Sequence, residues 1–89
     1  MVGTWKILDT PECKLPEKLS TAFNDLLDMD GAGYKPMLYA ATQLVAGTNH
    51  LIICKQTIVA KEPIEFLVYV IIYEDLEGNF VLTRIERIV

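Results

Sequence analysis

The sequence predicts an α+β domain in which one N-terminal helix packs across a four- to five-stranded antiparallel sheet, and three observations carry that prediction. A single stretch, Leu15 to Leu27, sets apolar residues at helical spacing. After Gly33 the chain turns to β-branched and aromatic residues broken at regular intervals by turn residues. Each break is short enough for an antiparallel hairpin. One helix across such a meander buries the helix stripe and the apolar side of every strand together.

Taken in order, Thr4 to Leu8 reads as a short edge strand that ends at Asp9-Thr10-Pro11-Glu12. That tetrapeptide carries a helix-start signal: Thr10 can cap free backbone N–H groups, Pro11 has none to lose, and Glu12 suits the positive end of the helix dipole. A second start lies at Pro16-Glu17, because proline inside a helix costs ~3 kcal/mol. From there Leu15, Leu19, Ala22, Phe23, Leu26 and Leu27 share one face, while Glu17, Lys18, Asn24, Asp25 and Asp28 fall largely elsewhere. Gly31 and Gly33 supply left-handed conformations after the helix end. Four strands follow: Tyr34 to Val45, Thr48 to Val59, Ile64 to Glu74 and Phe80 to Ile88. Their connections are Ala46-Gly47, Ala60-Lys61-Glu62-Pro63 and Asp75-Leu76-Glu77-Gly78-Asn79.

No repeat or linker divides residues 1–89, so the chain reads as one unit with one modest core. Hydrophobic residues are 52% of the sequence and charged ones 22%, a balance that suits a packed domain and not a disordered one. The net charge of -4 comes from eight basic and twelve acidic residues without a basic cluster, which argues against a nucleic-acid partner. The longest strongly apolar run, Phe66 to Tyr73, is far below the ~20 residues of a membrane-spanning helix, so no membrane partner is expected. The start Met1-Val2-Gly3-Thr4-Trp5-Lys6 lacks the charged, apolar and small-residue pattern of a secretory signal, which makes a cytoplasmic protein the expectation. Two cysteines, Cys13 and Cys54, are too few for a disulfide framework and are expected as thiols, with Cys54 a small hydrophobe in a strand.

At Gln43-Leu44-Val45-Ala46-Gly47 a named pattern appears. The segment resembles the Gln-x-Val-x-Gly signature of the cystatins, and Thr48-Asn49-His50 onward is similar to the strand that follows it there. Thr10-Pro11-Glu12 resembles the helix entry of the disulfide-free stefin type, and Leu76-Glu77-Gly78 sits where stefins carry a Leu-Pro-Gly second binding loop. The likeness runs over nearly the whole chain. It departs at Glu77, where the family often has proline, and at the N-terminal trunk, where only Met1 and Val2 precede Gly3.

The resemblance implies a cystatin-like fold and a reversible inhibitor of papain-like, cathepsin-type cysteine proteases that acts by filling the active-site cleft. The protease-binding residues it implies are Val2 and Gly3, then Gln43, Leu44, Val45, Ala46 and Gly47, then Leu76, Glu77 and Gly78. Gly3 would let the trunk approach the enzyme backbone, and Gly47 would supply a conformation that β-branched residues resist. A Gly47→Arg change would then abolish inhibition while leaving the fold intact. Glu77 would need a basic partner in the complex, and a short trunk removes part of one contact, so affinity is expected between micromolar and nanomolar. The alternative is a non-inhibitory cystatin-like interaction module. Its long strand Phe66 to Tyr73 beside a tight hairpin would permit two chains to exchange their helix-containing halves, giving a domain-swapped dimer in place of a monomer. Gln43 and Gly47 also suit strand-end and turn positions in any β-meander. A small-molecule pocket between helix and sheet is a third reading, weakened by the lack of further helices to wall it.

Catalytic residues, metal ligands and cofactors are not expected. His50 and Cys54 stand four apart on one strand, ~13 Å along it, beyond direct hydrogen bonding. His50 with Cys13 forms no recognisable triad, glycine-rich phosphate loops are missing, and Trp5 suits packing at the start of the first strand.

Overall fold

The computed structural model describes residues 3–89, with the backbone alone described at Thr10, Pro11 and Glu12. The elements are β1 (Trp5–Glu12), α1 (Glu17–Leu26), β2 (Ala32–Val45), β3 (Gly47–Ile58), β4 (Ile64–Glu74) and β5 (Phe80–Arg87). The strands form one antiparallel sheet in the order β1-β2-β3-β4-β5, an α+β arrangement in which only the β1–β2 step is made through the helix.

Register sorts the strand residues between the two faces of the sheet, because directly paired residues share a face. His50, Ile52 and Cys54 stand on one face with their β4 partners Ile72, Val70 and Val68. Against this inner face lie Leu15, Leu19, Phe23 and Leu27, a set at helical spacing that puts one side of α1 and its flanks on the sheet. Phe23, Ile52, Val68, Val70, Ile72 and Cys54 are sealed from solvent, each large one contributing about 1.5–3 kcal/mol. The opposite, outer face carries rows that alternate with these. One row runs Ile7–Ala41–Leu51–Ile71–Arg84, and the next runs Leu38–Ile53–Tyr69–Glu86.

Of the two helix starts that the sequence offers, the chain uses the second. Pro16 occupies the N-cap with no side-chain cap bond, and the Ser20 amide donates to the Pro16 carbonyl at 2.8 Å. The expected start at Thr10-Pro11 and the strand end at Leu8 are both overturned: β1 runs on to Glu12, which pairs with Tyr39 after a register shift. Pairing with β2 outweighs the local capping signal, and an edge strand tolerates a proline that a central one would not. Gly31 takes a left-handed φ of 81° after the helix, as expected, but Gly33 lies within β2 and does not. The remaining strands match their expected limits to within two residues, and β4 matches at both ends. Pro36 is accommodated inside β2 at a register shift, on a part of the strand that β1 does not pair. Cys13 is exposed and Cys54 buried, both as free thiols. Among the described residues no helix is long and apolar enough to cross a membrane.

Candidate binding rim

An antiparallel meander sends alternate turns to the same end. The start of β1, the β2–β3 hairpin and the β4–β5 loop therefore form one rim, and the sequence places its candidate residues on all three. Val2 lies outside the described residues, which begin at Gly3. Its amide donates to the Leu44 carbonyl at 2.9 Å, and the Gln43 side-chain amide donates to the Gly3 carbonyl at 2.9 Å. Gln43 Oε1 accepts in turn from Asn49 Nδ2 at 3.0 Å. Gln43 is thus a clamp that ties the N-terminal segment to the first hairpin. Gly3 has a use within the chain as well: a Cβ there would collide with the Leu44 carbonyl, so glycine is needed for this close approach.

The first hairpin is as tight as a turn can be. Val45 pairs with Gly47 and leaves Ala46 alone at the apex, with its carbonyl accepting from the Tyr73 hydroxyl. Gly47 has φ 108° and is buried against the end of β4, where a Cβ would meet the Glu74 carbonyl. This corrects the expectation that Gly47→Arg spares the fold, since any side chain here strikes backbone. Leu44 is 72% exposed and Ala46 is exposed, while Val45 is half-buried.

The second loop is organised from within. Asp75 Oδ1 accepts from the amides of Glu77 and Asn79, both at 2.9 Å, and Asp75 Oδ2 accepts from the Asn79 side-chain amide at 3.2 Å. These donors, those of Asn79 first, hold the Asp75 carboxyl below the usual carboxylate range. Gly78 turns the chain with φ 88° and has open space where a Cβ would stand. Leu76 projects at 83% exposure beside the exposed Glu77. Ala46, Tyr73, Asp75, Leu76 and Glu77 line one shallow depression of about 280 Å³, so the two bends are neighbours.

On the helix side Glu77 also borders an open groove of about 620 Å³, whose wall includes Glu17, Lys18, Asp25, Glu74 and Phe80. Four carboxylates against one lysine make that flank acidic. The groove lies between the helix surface and the second loop, not inside the helix–sheet core, which is closed by Phe23 and its neighbours. That placement disfavours the enclosed small-molecule pocket of the third reading.

Behind the rim lies a polar chain that reading the sequence missed. The Tyr39 hydroxyl meets His50 Nδ1 at 2.6 Å, and His50 Nε2 meets Glu74 Oε1 at 2.9 Å. A neutral imidazole with hydrogen on Nε2 satisfies both contacts, donating to Glu74 and accepting from Tyr39. Burial, and next the charge of Glu74, push the Tyr39 hydroxyl's pKa up. The chain bridges β2, β3 and β4 just beneath the hairpins, and its signal in the sequence is cross-strand, since its three members come from three different strands. Cys54 shares the inner face with His50 but has Ile52 between them, and burial pushes its thiol up to about 12, which leaves it inert. Among the described residues no group of three or more His, Cys, Asp or Glu gathers to hold a metal ion.

No family model matches the chain, and no match emerges among curated proteins or solved structures.

Proposed function

We propose that the chain is a cystatin-like, reversible inhibitor of papain-like cysteine proteases whose rim enters the active-site cleft as a wedge. The observation that supports this reading is the convergence of Gly3, Leu44 to Gly47 and Leu76 to Gly78 at one end of the sheet, with Leu44 and Leu76 as its two protruding apolar points. Two such leucines have no stabilising role in the free chain, and burying each in a partner is worth about 1.5–3 kcal/mol. Both bends are braced before any encounter, the first by Gln43, Tyr73 and Gly47 and the second by Asp75, so docking costs little ordering entropy. A wedge built on turns offers the enzyme nucleophile no extended substrate strand. Glu77 sits beside Leu76 and selects for a cleft edge that carries a basic group.

The test is a titration of papain with the purified chain. Inhibition with a dissociation constant between micromolar and nanomolar is expected, and none at about 50 µM would reject the proposal. Leu44→Asp and Leu76→Asp should each weaken inhibition by about tenfold or more at unchanged thermal midpoint, because both side chains already stand in water. Equal potency of both variants and the parent would reject the wedge even if inhibition itself were found.

A further inference from the structure

The central strands are apolar on both faces, yet only one face is covered. In β4 the run Phe66-Leu67-Val68-Tyr69-Val70-Ile71-Ile72-Tyr73 does not alternate, and in β3 neither does Leu51-Ile52-Ile53-Cys54. An antiparallel sheet with one wet face alternates apolar and polar residues, whereas continuous apolar runs mark strands buried on both sides. The helix accounts for Ile52, Cys54, Val68, Val70 and Ile72. Leu51, Ile53, Leu67, Tyr69, Ile71 and Tyr73 point the other way and remain only half-buried.

We infer that two copies of the intact chain associate by stacking these outer sheet faces, related by a two-fold axis that runs across the strands between the Ile71 and Tyr69 rows. Two arguments select a second copy as the occupant. The first is area: the Ile71 and Tyr69 rows and the rows that flank them, Trp5–Gln43–Asn49–Tyr73–Val81 and Lys35–Lys55–Leu67, hold seventeen positions, which at ~4.8 Å between strands and ~6.8 Å between rows cover roughly 550 Å². Two such faces together bury about 1,100 Å², just above the ~1,000 Å² that a specific pair needs.

The second argument is self-complementarity. A two-fold axis in that position lays the Ile71 row over the Tyr69 row of the other copy, and the Tyr73 row over the Leu67 row. Leu51 then stands over Ile53 of the other copy, Ile71 over Tyr69, and Arg84 over Glu86. Arg84 and Glu86 lie on this same face, 4.0 Å apart within one chain, and are 58% and 52% exposed, so each is free to turn to the opposite copy. An axis along β3 would instead set Lys55 over Lys55. Face-to-face sheets at ~10 Å separation, with strands within ~30° of each other, are the ordinary way to close such a layer. The stack leaves the protruding Leu44, Ala46 and Leu76 uncovered, and it does not depend on protease binding.

Sedimentation equilibrium of the full chain from about 1 to 500 µM tests the inference, since a small interface of this kind falls in the micromolar range. Monomer and dimer in exchange are expected. Ile53→Lys should raise the dissociation constant by about 100-fold or more while papain inhibition is kept. Should that variant lose its fold, the surface pair decides: Arg84→Glu and Glu86→Arg should each weaken the dimer about tenfold, and the double variant should restore it. A chain that is monomeric throughout would overturn the inference. So would a dimer indifferent to these changes, or one that forms only on heating and survives dilution, which would be exchange of halves.

Discussion

The two bends of the rim are built on opposite principles. The β2–β3 hairpin is held from outside: Gly3 bonds to Leu44, Tyr73 reaches Ala46, and Gly47 packs against the end of β4. The β4–β5 loop holds itself, through one aspartate that gathers two amides and a side chain within five residues. The first bend is therefore a property of the whole sheet, and a change in it propagates to β1 and β4. The second is a property of its own sequence, and its damage stays local. A rigid first bend and a separable second one let the second loop vary in sequence without risk to the fold.

The sharpest way to break this contrast is Gly47→Ala. A methyl group there strikes the Glu74 carbonyl and sits at a φ that L-residues resist, so a loss of about 2–4 kcal/mol is expected. Calorimetry should show the thermal midpoint falling by ~10–20 °C; a fall of a degree or two would mean that the hairpin is not anchored by β4. Next in size, His50→Leu strands the Tyr39 hydroxyl and the Glu74 carboxylate beneath the first bend, and should cost about 1–3 kcal/mol in denaturant unfolding. Gln43→Ala removes one bond to Gly3 and one to Asn49, for about 1 kcal/mol, and should free the Gly3 amide to exchange with solvent deuterium faster. Asp75→Ala should have the smallest effect on the midpoint, with amide shift changes confined to residues 75–79.

The second loop also has a pH signature. Because the folded Asp75 carboxyl titrates below its unfolded value, its contribution is present above the ordinary aspartate pKa and is lost as pH falls through the lower, folded one. The Glu77 and Asn79 amides should follow that titration by NMR while those of Gly47 and Leu44 stay unmoved. A midpoint at or above the ordinary aspartate value would refute the capping role.

Much of this was legible in the chain, for identifiable reasons. Ile64–Glu74 is bounded by Pro63 on one side and an Asp-Leu-Glu-Gly turn on the other, so both limits were readable. The helix face was fixed by the spacing of Leu19, Phe23 and Leu27. The convergence of the bends follows from strand parity once the strand order is known. What misled was local: Thr10-Pro11-Glu12 looks like a cap to its neighbours in sequence, but β2 is its neighbour in space. What escaped notice was register. Tyr39 and Glu74 reach His50 from two other strands, and the shifts after Pro36 and Tyr39 cannot be counted from residue types.

Cys54 carries a consequence of its own. A disulfide reagent attacks thiolates, and this sulfur is both fully enclosed and held protonated to about pH 12. Cys13 stands in the open on the same chain and reacts at once, so every molecule brings its own calibration. The slow second equivalent then clocks how often β3 parts from the helix.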